Sequence, residues 1–157
     1  MRFLIAAALL AASPALAQTP LRATPPDGFK FLSAEEMDQA LMKTEGGHVY
    51  SGHVTTDHEN YWVEFMKRLD HGNLVEFHAH WTDYIIIQKG EGTVTYGGTL
   101  TGANPAGIGE TRGGTLSGAT VQPVKAGDYI QIPAGVPHII NAAPGQELKL
   151  VLFKHRT

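Results

Sequence analysis

Two histidines separated by a single residue, His78 and His80, are the feature that most constrains how this chain can fold. Side chains two positions apart on an extended strand project from the same face, so both imidazoles would point to one side of a sheet. A third histidine, His138, follows far downstream, after a turn that Pro133 and Gly135 are expected to fix. It can join the other two in one metal site only if the sheet closes on itself.

The residues around this pair predict a second strand and an inward-facing wall. An apolar, β-branched run follows Asp83, which is typical of a buried strand. If the histidines face inward, the same alternation turns four further side chains inward: Leu74, Glu76, Ile85 and Ile87. A buried carboxylate at Glu76 would be a general base or a substrate anchor, or it would only bond to a neighbouring strand.

At two distant places the sequence resembles the motifs of the cupins. The first motif is matched by Gly72, His78, His80 and Gly90, with Asp83 where the family has Glu. The second is matched by Gly127, Pro133, Gly135 and His138, with Asn141 one residue early. The resemblance covers the larger, C-terminal part of the chain. It implies an all-β fold, a single antiparallel β-barrel of the double-stranded jelly-roll type.

The resemblance also implies one divalent transition-metal ion in the barrel mouth, with the ligands His78, His80, Asp83 and His138. Asp is one methylene shorter than Glu, and the loop before it is one residue shorter than in the family. Asp83 could therefore reach the metal, or it could have left the metal shell. Three imidazoles, with or without a carboxylate, suit Fe, Mn, Zn, Ni or Cu. The substrate pocket is expected to include Trp81, Ile85 and Ile87.

The resemblance further implies a metal-dependent enzyme of the oxygenase, lyase or isomerase type, with a small organic acid, an enol or a sugar-like molecule as substrate. The alternative is a non-catalytic cupin that binds a metal or a small molecule, and the residues leave both open. Nucleic acid is not expected as a partner, because the chain has 12 basic against 15 acidic residues and no basic cluster. The resemblance implies a homodimer.

The N-terminus predicts an exported protein. Residues 1–17 combine one cation, an apolar run and a small-residue cleavage site, the pattern of a secretory signal peptide. The mature chain would begin at Gln18 and be secreted, by the look of the signal into a bacterial periplasm, with no membrane attachment after cleavage. Because the chain has no cysteine, its stability must come from core burial, to which a bound metal could add.

The mature chain is expected to form one domain. Residues 18–32 are rich in proline and predict an extended arm, and residues 33–157 predict a single barrel. One short helix opens the barrel domain. Ser33 and Glu36 make a capping box, and the predicted helix extends to Lys43.

A glycine-rich segment, residues 97–120, separates the two motifs. It contains two near-copies, GGTLTGA and GGTLSGA, which predict matching strand ends around a loop at residues 104–110. That loop would be a lid over the barrel mouth or a surface hairpin, and regular strand pairing is not expected across its middle. Glu110 and Arg112 would reach a ligand only if the loop folds inward.

Overall fold

The computed structural model describes residue 31 and residues 33–41, 50–52 and 60–157. The predicted signal peptide lies outside these residues, as does the predicted arm apart from residue 31. All strands belong to one compact unit, Leu32–Thr157. Within the described ranges, no helix is long and apolar enough to cross a membrane.

One helix and thirteen strands form the regular structure of the described residues. The helix, α1, spans Ala34–Leu41. The strands are β1 (Tyr50–Gly52), β2 (Tyr61–Leu69), β3 (Glu76–His78), β4 (Trp81–Lys89), β5 (Glu91–Tyr96), β6 (Thr99–Thr101), β7 (Asn104–Gly107), β8 (Glu110–Arg112), β9 (Thr115–Ser117), β10 (Thr120–Lys125), β11 (Tyr129–Ile132), β12 (His138–Ala142) and β13 (Glu147–Arg156).

The strands form two larger antiparallel sheets and a small ribbon. The first sheet has five strands in the order β1-β2-β13-β4-β11, and the second has six in the order β10-β5-β12-β3-β8-β7. The ribbon pairs β6 with β9. The predicted class, an all-β antiparallel fold with one short helix, is therefore confirmed.

The core lies between the inner faces of the two larger sheets, because one apolar cluster combines side chains from both. The first sheet contributes Ile85, Ile87 and Leu150, and the second contributes Val94 and Ile140. The inward orientation predicted for Ile85 and Ile87 is confirmed, since each is only 1 % exposed.

Leu74, in contrast, does not follow the predicted alternation. Its side chain is 53 % exposed. The physical reason is that β3 begins only at Glu76, so the two-residue period of a strand does not extend back to Leu74.

The helix has the cap that the sequence predicts. The Ser33 backbone N–H donates to the Glu36 carboxylate at 2.8 Å, and the Glu36 backbone N–H donates to Ser33 Oγ at 3.2 Å. These two bonds satisfy backbone donors that the first turn of a helix leaves unpaired. The described helix ends at Leu41, and the last residues of the predicted helix lie outside the described ranges.

The glycine-rich segment is more regular than the sequence predicts. Its two near-copies pair with each other, so that Leu100 lies opposite Leu116 in the ribbon. A Cβ at Gly98 would come within 2.4 Å of a backbone oxygen of the other copy, which explains the glycine there. Between the copies, β7 and β8 form a hairpin, and β8 pairs with β3. The expectation of an unpaired middle is wrong, because the edge of β3 supplies a partner strand.

Truncation of Leu150 should show where the core lies. Leu150 is 1 % exposed on the central strand of the first sheet, so Leu150→Ala should lower the free energy of unfolding by about 2–5 kcal/mol. Leu74→Ala makes the same chemical change on an exposed side chain and should stay within about 0.5 kcal/mol of wild type. Urea unfolding followed by circular dichroism measures both, and similar losses in the two variants would contradict the described core.

Candidate metal centre

Three buried side chains converge inside the barrel: Glu76, His78 and His138. One ligating atom from each lies within 4.8 Å of the other two. Glu76 and His78 are two apart on β3 and so share its inner face, and His138, at the start of β12, is the antiparallel partner of Glu76. The turn before β12 is tied to β3, because the Gly135 N–H donates to the His78 carbonyl at 2.8 Å. Distant parts of the chain thus form one cluster.

Both histidines direct the same nitrogen at the centre of this cluster. His78 Nδ1 is hydrogen-bonded to the Glu110 carboxylate, and His138 Nδ1 to the Val136 carbonyl at 3.0 Å. Both partners can only accept, so each imidazole must carry its proton on Nδ1. The lone pairs of both Nε2 atoms are then directed into the cluster, in the tautomer that metal-binding histidines use.

Asp83 adds a second buried carboxylate from the opposite sheet. It lies on β4, and its Oδ2 is 3.6 Å from His78 Nε2 and 3.5 Å from His138 Nε2. Its other oxygen, Oδ1, is buried and accepts no hydrogen bond from the described residues, although Lys154 Nζ lies 3.4 Å away. A buried oxygen without a hydrogen bond is unusual, and a bound cation would satisfy it.

His80 lies apart from this group. The strand β3 ends at His78, and Ala79 and His80 form a bend before β4 begins at Trp81. His80 is exposed, and its ring lies beside Gly109. The assumption that His78 and His80 share a strand face is wrong, because strand geometry does not continue past His78.

Three cations complete the cluster, and of these only Arg112 was a candidate from the sequence. Lys154 Nζ lies 2.6 Å from His78 Nε2, and Arg68 Nη2 lies 2.6 Å from Glu76 Oε1. Arg112 Nη2 is 3.5 Å from Glu76 Oε2, so the loop residues Arg112 and Glu110 do reach the cluster. A signal for Lys154 was present in the sequence, because it continues an alternation of inward residues that runs through Leu148, Leu150 and Leu152.

The surrounding charges keep both carboxyl groups ionised. Burial raises the pKa of Glu76, whereas the nearby charges of Arg68 and Arg112 lower it, and overall it lies well below its usual value. Burial likewise raises the pKa of Asp83, whereas the charge of Lys154 lowers it, and overall it lies below its usual value. Carboxylates of low basicity suit cation binding better than proton abstraction.

The three residues expected in the substrate pocket lie in two different environments. Trp81 is half-buried, with the Arg156 guanidinium 5.9 Å from its ring centroid, whereas Ile85 and Ile87 belong to the hydrophobic core. A cavity of about 570 Å³ lies nearby between β10 and β11, and Val136, whose carbonyl holds His138, lines it. None of the three expected residues lines this cavity.

Comparison with solved structures identifies relatives of the fold. An uncharacterised conserved protein with a double-stranded β-helix domain from Klebsiella pneumoniae matches with a TM-score of 0.56 and 15 % identity, over 81 % of this chain and 90 % of that one. The cupin domain of Schizosaccharomyces pombe Cnp3 matches with a TM-score of 0.52 and 12 % identity, over 69 % and 65 %. Recombinant oxalate oxidase in complex with glycolate matches with a TM-score of 0.51 and 16 % identity, over 74 % and 57 %. No protein-family model and no curated protein sequence matches this chain.

The metal-free protein should lose stability in acid through these carboxylates. Because the pKa values of Glu76 and Asp83 are lower in the folded than in the unfolded chain, their contribution is complete above the unfolded values and is lost as the pH falls through the folded ones. The free energy of unfolding should therefore decrease as the pH falls below about 5. Urea titrations across this range, with metal removed, measure the slope.

Asp83→Asn should flatten this acid dependence, because the variant has no carboxylate to protonate at that position. Glu91→Gln is the control, since Glu91 is exposed on β5. An unchanged slope in Asp83→Asn would contradict the assignment of Asp83 to the ionised cluster.

Proposed function

We propose that this chain, which has the double-stranded β-helix fold of the cupins, binds one divalent transition-metal ion through His78, His138 and Glu76, with Asp83 as a further ligand. One observation carries the proposal: two Nε2 lone pairs and two ionised carboxylates are directed into one buried space. The tautomers are fixed by Glu110 and by the Val136 carbonyl, so the donors need no rearrangement of protons before they bind a cation.

The donor set favours iron or manganese among the ions that the sequence allows. Two imidazoles and one carboxylate on adjacent coordination positions of the metal are the ligands of many non-haem Fe(II) sites. A second carboxylate adds a hard oxygen ligand, which suits Mn. His80 is not needed for this set, since it is exposed and lies beside Gly109.

We infer that the site is that of an enzyme acting on a small organic acid. A bound metal of this kind would supply open positions that polarise a carboxylate or carbonyl oxygen, or take up oxygen. Arg112 would hold the substrate carboxylate, because its side chain is 35 % exposed while its guanidinium reaches Glu76 inside the cluster. The oxalate oxidase of the same fold was crystallised with glycolate, a ligand of this chemical class.

The residues around the donors would each have one defined role. Glu110 and the Val136 carbonyl orient the two imidazoles, and Arg68 neutralises the Glu76 oxygen that faces away from the histidines. The low pKa of Glu76 favours a ligand over the general base that the sequence suggested.

A non-catalytic binding protein is the second candidate, and Lys154 favours it. Its ammonium group lies 2.6 Å from His78 Nε2 and would bind the carboxylate of an organic anion without a metal. Oxygen consumption or product formation with oxalate or glycolate would distinguish an enzyme from a binding protein, because a binding protein retains the added acid unchanged.

The exported location and the homodimer are further parts of the proposal. The location depends on the signal-peptide pattern of residues 1–17. The dimer is supported by the outer face of the five-stranded sheet, where Tyr61, Ile86 and Phe153 are exposed and Tyr84 packs on Phe153. Contiguous apolar side chains on a sheet surface are typical of a protein interface.

Metal content should depend on His138 and not on His80. The tag-free protein is expected to hold about one ion of Fe or Mn per chain, and His138→Gln should lose it, because one of the two convergent imidazoles is removed. His80→Gln makes the same change outside the cluster and should retain the ion. Elemental analysis of the folded variants measures this, and loss of metal in His80→Gln alone would contradict the proposed ligand set.

A charge on the outer sheet face should break the proposed dimer. Ile86 is 53 % exposed on β4, so Ile86→Lys would bring an unpaired charge into the interface and shift the protein to a monomer. Val121→Lys is the matched control on the other sheet, where Val121 is 58 % exposed on β10. Size-exclusion chromatography with light scattering gives the mass, and a monomeric wild type would contradict the dimer.

A further inference from the structure

Lys154 is a buried cation inside the cluster, supplied by the strand that also forms the core. Its side chain points inward because it shares a face of β13 with Leu148, Leu150 and Leu152, and the residue is 2 % exposed. In the first sheet it is the direct partner of Asp83 on β4. Lysine is rarely buried to this degree unless it is paired, so its partners explain its position.

The partners of Lys154 are atoms that a metal ion would use. Its Nζ lies 2.6 Å from His78 Nε2 and 3.4 Å from Asp83 Oδ1. His78 has a single lone pair available, on Nε2, because its Nδ1 proton is bonded to Glu110. That lone pair can accept a hydrogen bond from the ammonium group or coordinate a cation, and it cannot do both.

The charge balance of the cluster also indicates that Lys154 and a metal ion cannot occupy the cluster together. Three carboxylates, from Glu76, Asp83 and Glu110, face three cations, from Arg68, Arg112 and Lys154. The cluster is therefore balanced without a metal. A divalent ion that entered while Lys154 stayed in place would lie against an ammonium group in a site largely closed to water, where repulsion between like charges is poorly screened.

We propose that Lys154 is an internal cation that competes with the metal, so that the ammonium group must leave His78 before the ion can bind. This inference depends on the proposed metal site and adds the residue that sets its affinity. The four-carbon stem of lysine allows such a movement, whereas a rigid guanidinium would not turn aside as readily. The lysine keeps the metal-free barrel electrostatically balanced, at the expense of weaker metal binding.

Removal of the ammonium group should therefore strengthen metal binding. Lys154→Met keeps an unbranched apolar stem and removes the charge. Titration of the metal-free protein with Mn²⁺ in a calorimeter should give a Kd about tenfold or more lower in Lys154→Met than in wild type. Lys67→Met is the matched control, because Lys67 is also buried but pairs with Glu147 outside the cluster, and its Kd should equal that of wild type.

Thermal unfolding gives a second readout that does not depend on activity. Without metal, Lys154→Met should unfold at a lower temperature than wild type, because Asp83 and His78 lose their cation. Saturating Mn²⁺ should raise the unfolding temperature more in the variant than in wild type, since the ion has no ammonium group to displace. If Lys154→Met folds poorly without metal, recovery of its folded state on addition of Mn²⁺ would still show this stabilisation by the metal.

The possible failures are distinguishable. Equal or weaker Mn²⁺ binding in Lys154→Met, with binding intact in wild type, would overturn the competition and leave the metal site standing. If neither wild type nor Lys154→Met bound Mn²⁺, Fe²⁺ or Zn²⁺, the proposed function would be overturned together with this inference.

Discussion

Neutralisation of buried charge is the constraint on which this structure depends. Carboxylates can be held inside a protein only when cations or hydrogen-bond donors accompany them. Here the carboxylates come from β3, β4 and β8 and the cations from β2, β8 and β13, so the ion pairs join both sheets across the interior. One of these carboxylates, Glu110, also holds the His78 imidazole in position.

Individual strands of the barrel contribute residues both to the apolar core and to the ionic cluster. On β13, Leu148, Leu150 and Leu152 fill the apolar interior, and Lys154 extends the same face into the ionic cluster. On β4, Asp83 begins the inward face that Ile85 and Ile87 continue. The apolar layer beneath the cluster lowers the local dielectric, which strengthens every ion pair and hydrogen bond above it. A metal ion bound there would be held by donors that are already oriented.

Much of this arrangement could be predicted from the sequence, because it follows from local periodicity. The inward orientation of Glu76 with His78 and of Ile85 with Ile87 needs only the two-residue repeat of a strand, and the motifs around His138 imply closure. The position of His80 could not be predicted in the same way. Its bend depends on long-range bonds, such as that from the Thr157 N–H to the His80 carbonyl, which no local pattern encodes.

Lys154 and Glu110 differ in whether the sequence could have predicted their positions. The inward position of Lys154 follows from the alternation of β13, whereas the contact of Glu110 with His78 depends on the register in which β8, from the hairpin of β7 and β8, pairs with β3.

The most direct test of the proposed metal site is a crystal structure of the Mn-loaded protein with anomalous scattering recorded at the manganese edge. We expect one peak bonded to Nε2 of His78 and His138, with Lys154 turned away. A peak at His80, or an empty cluster beside metal bound elsewhere, would contradict the account.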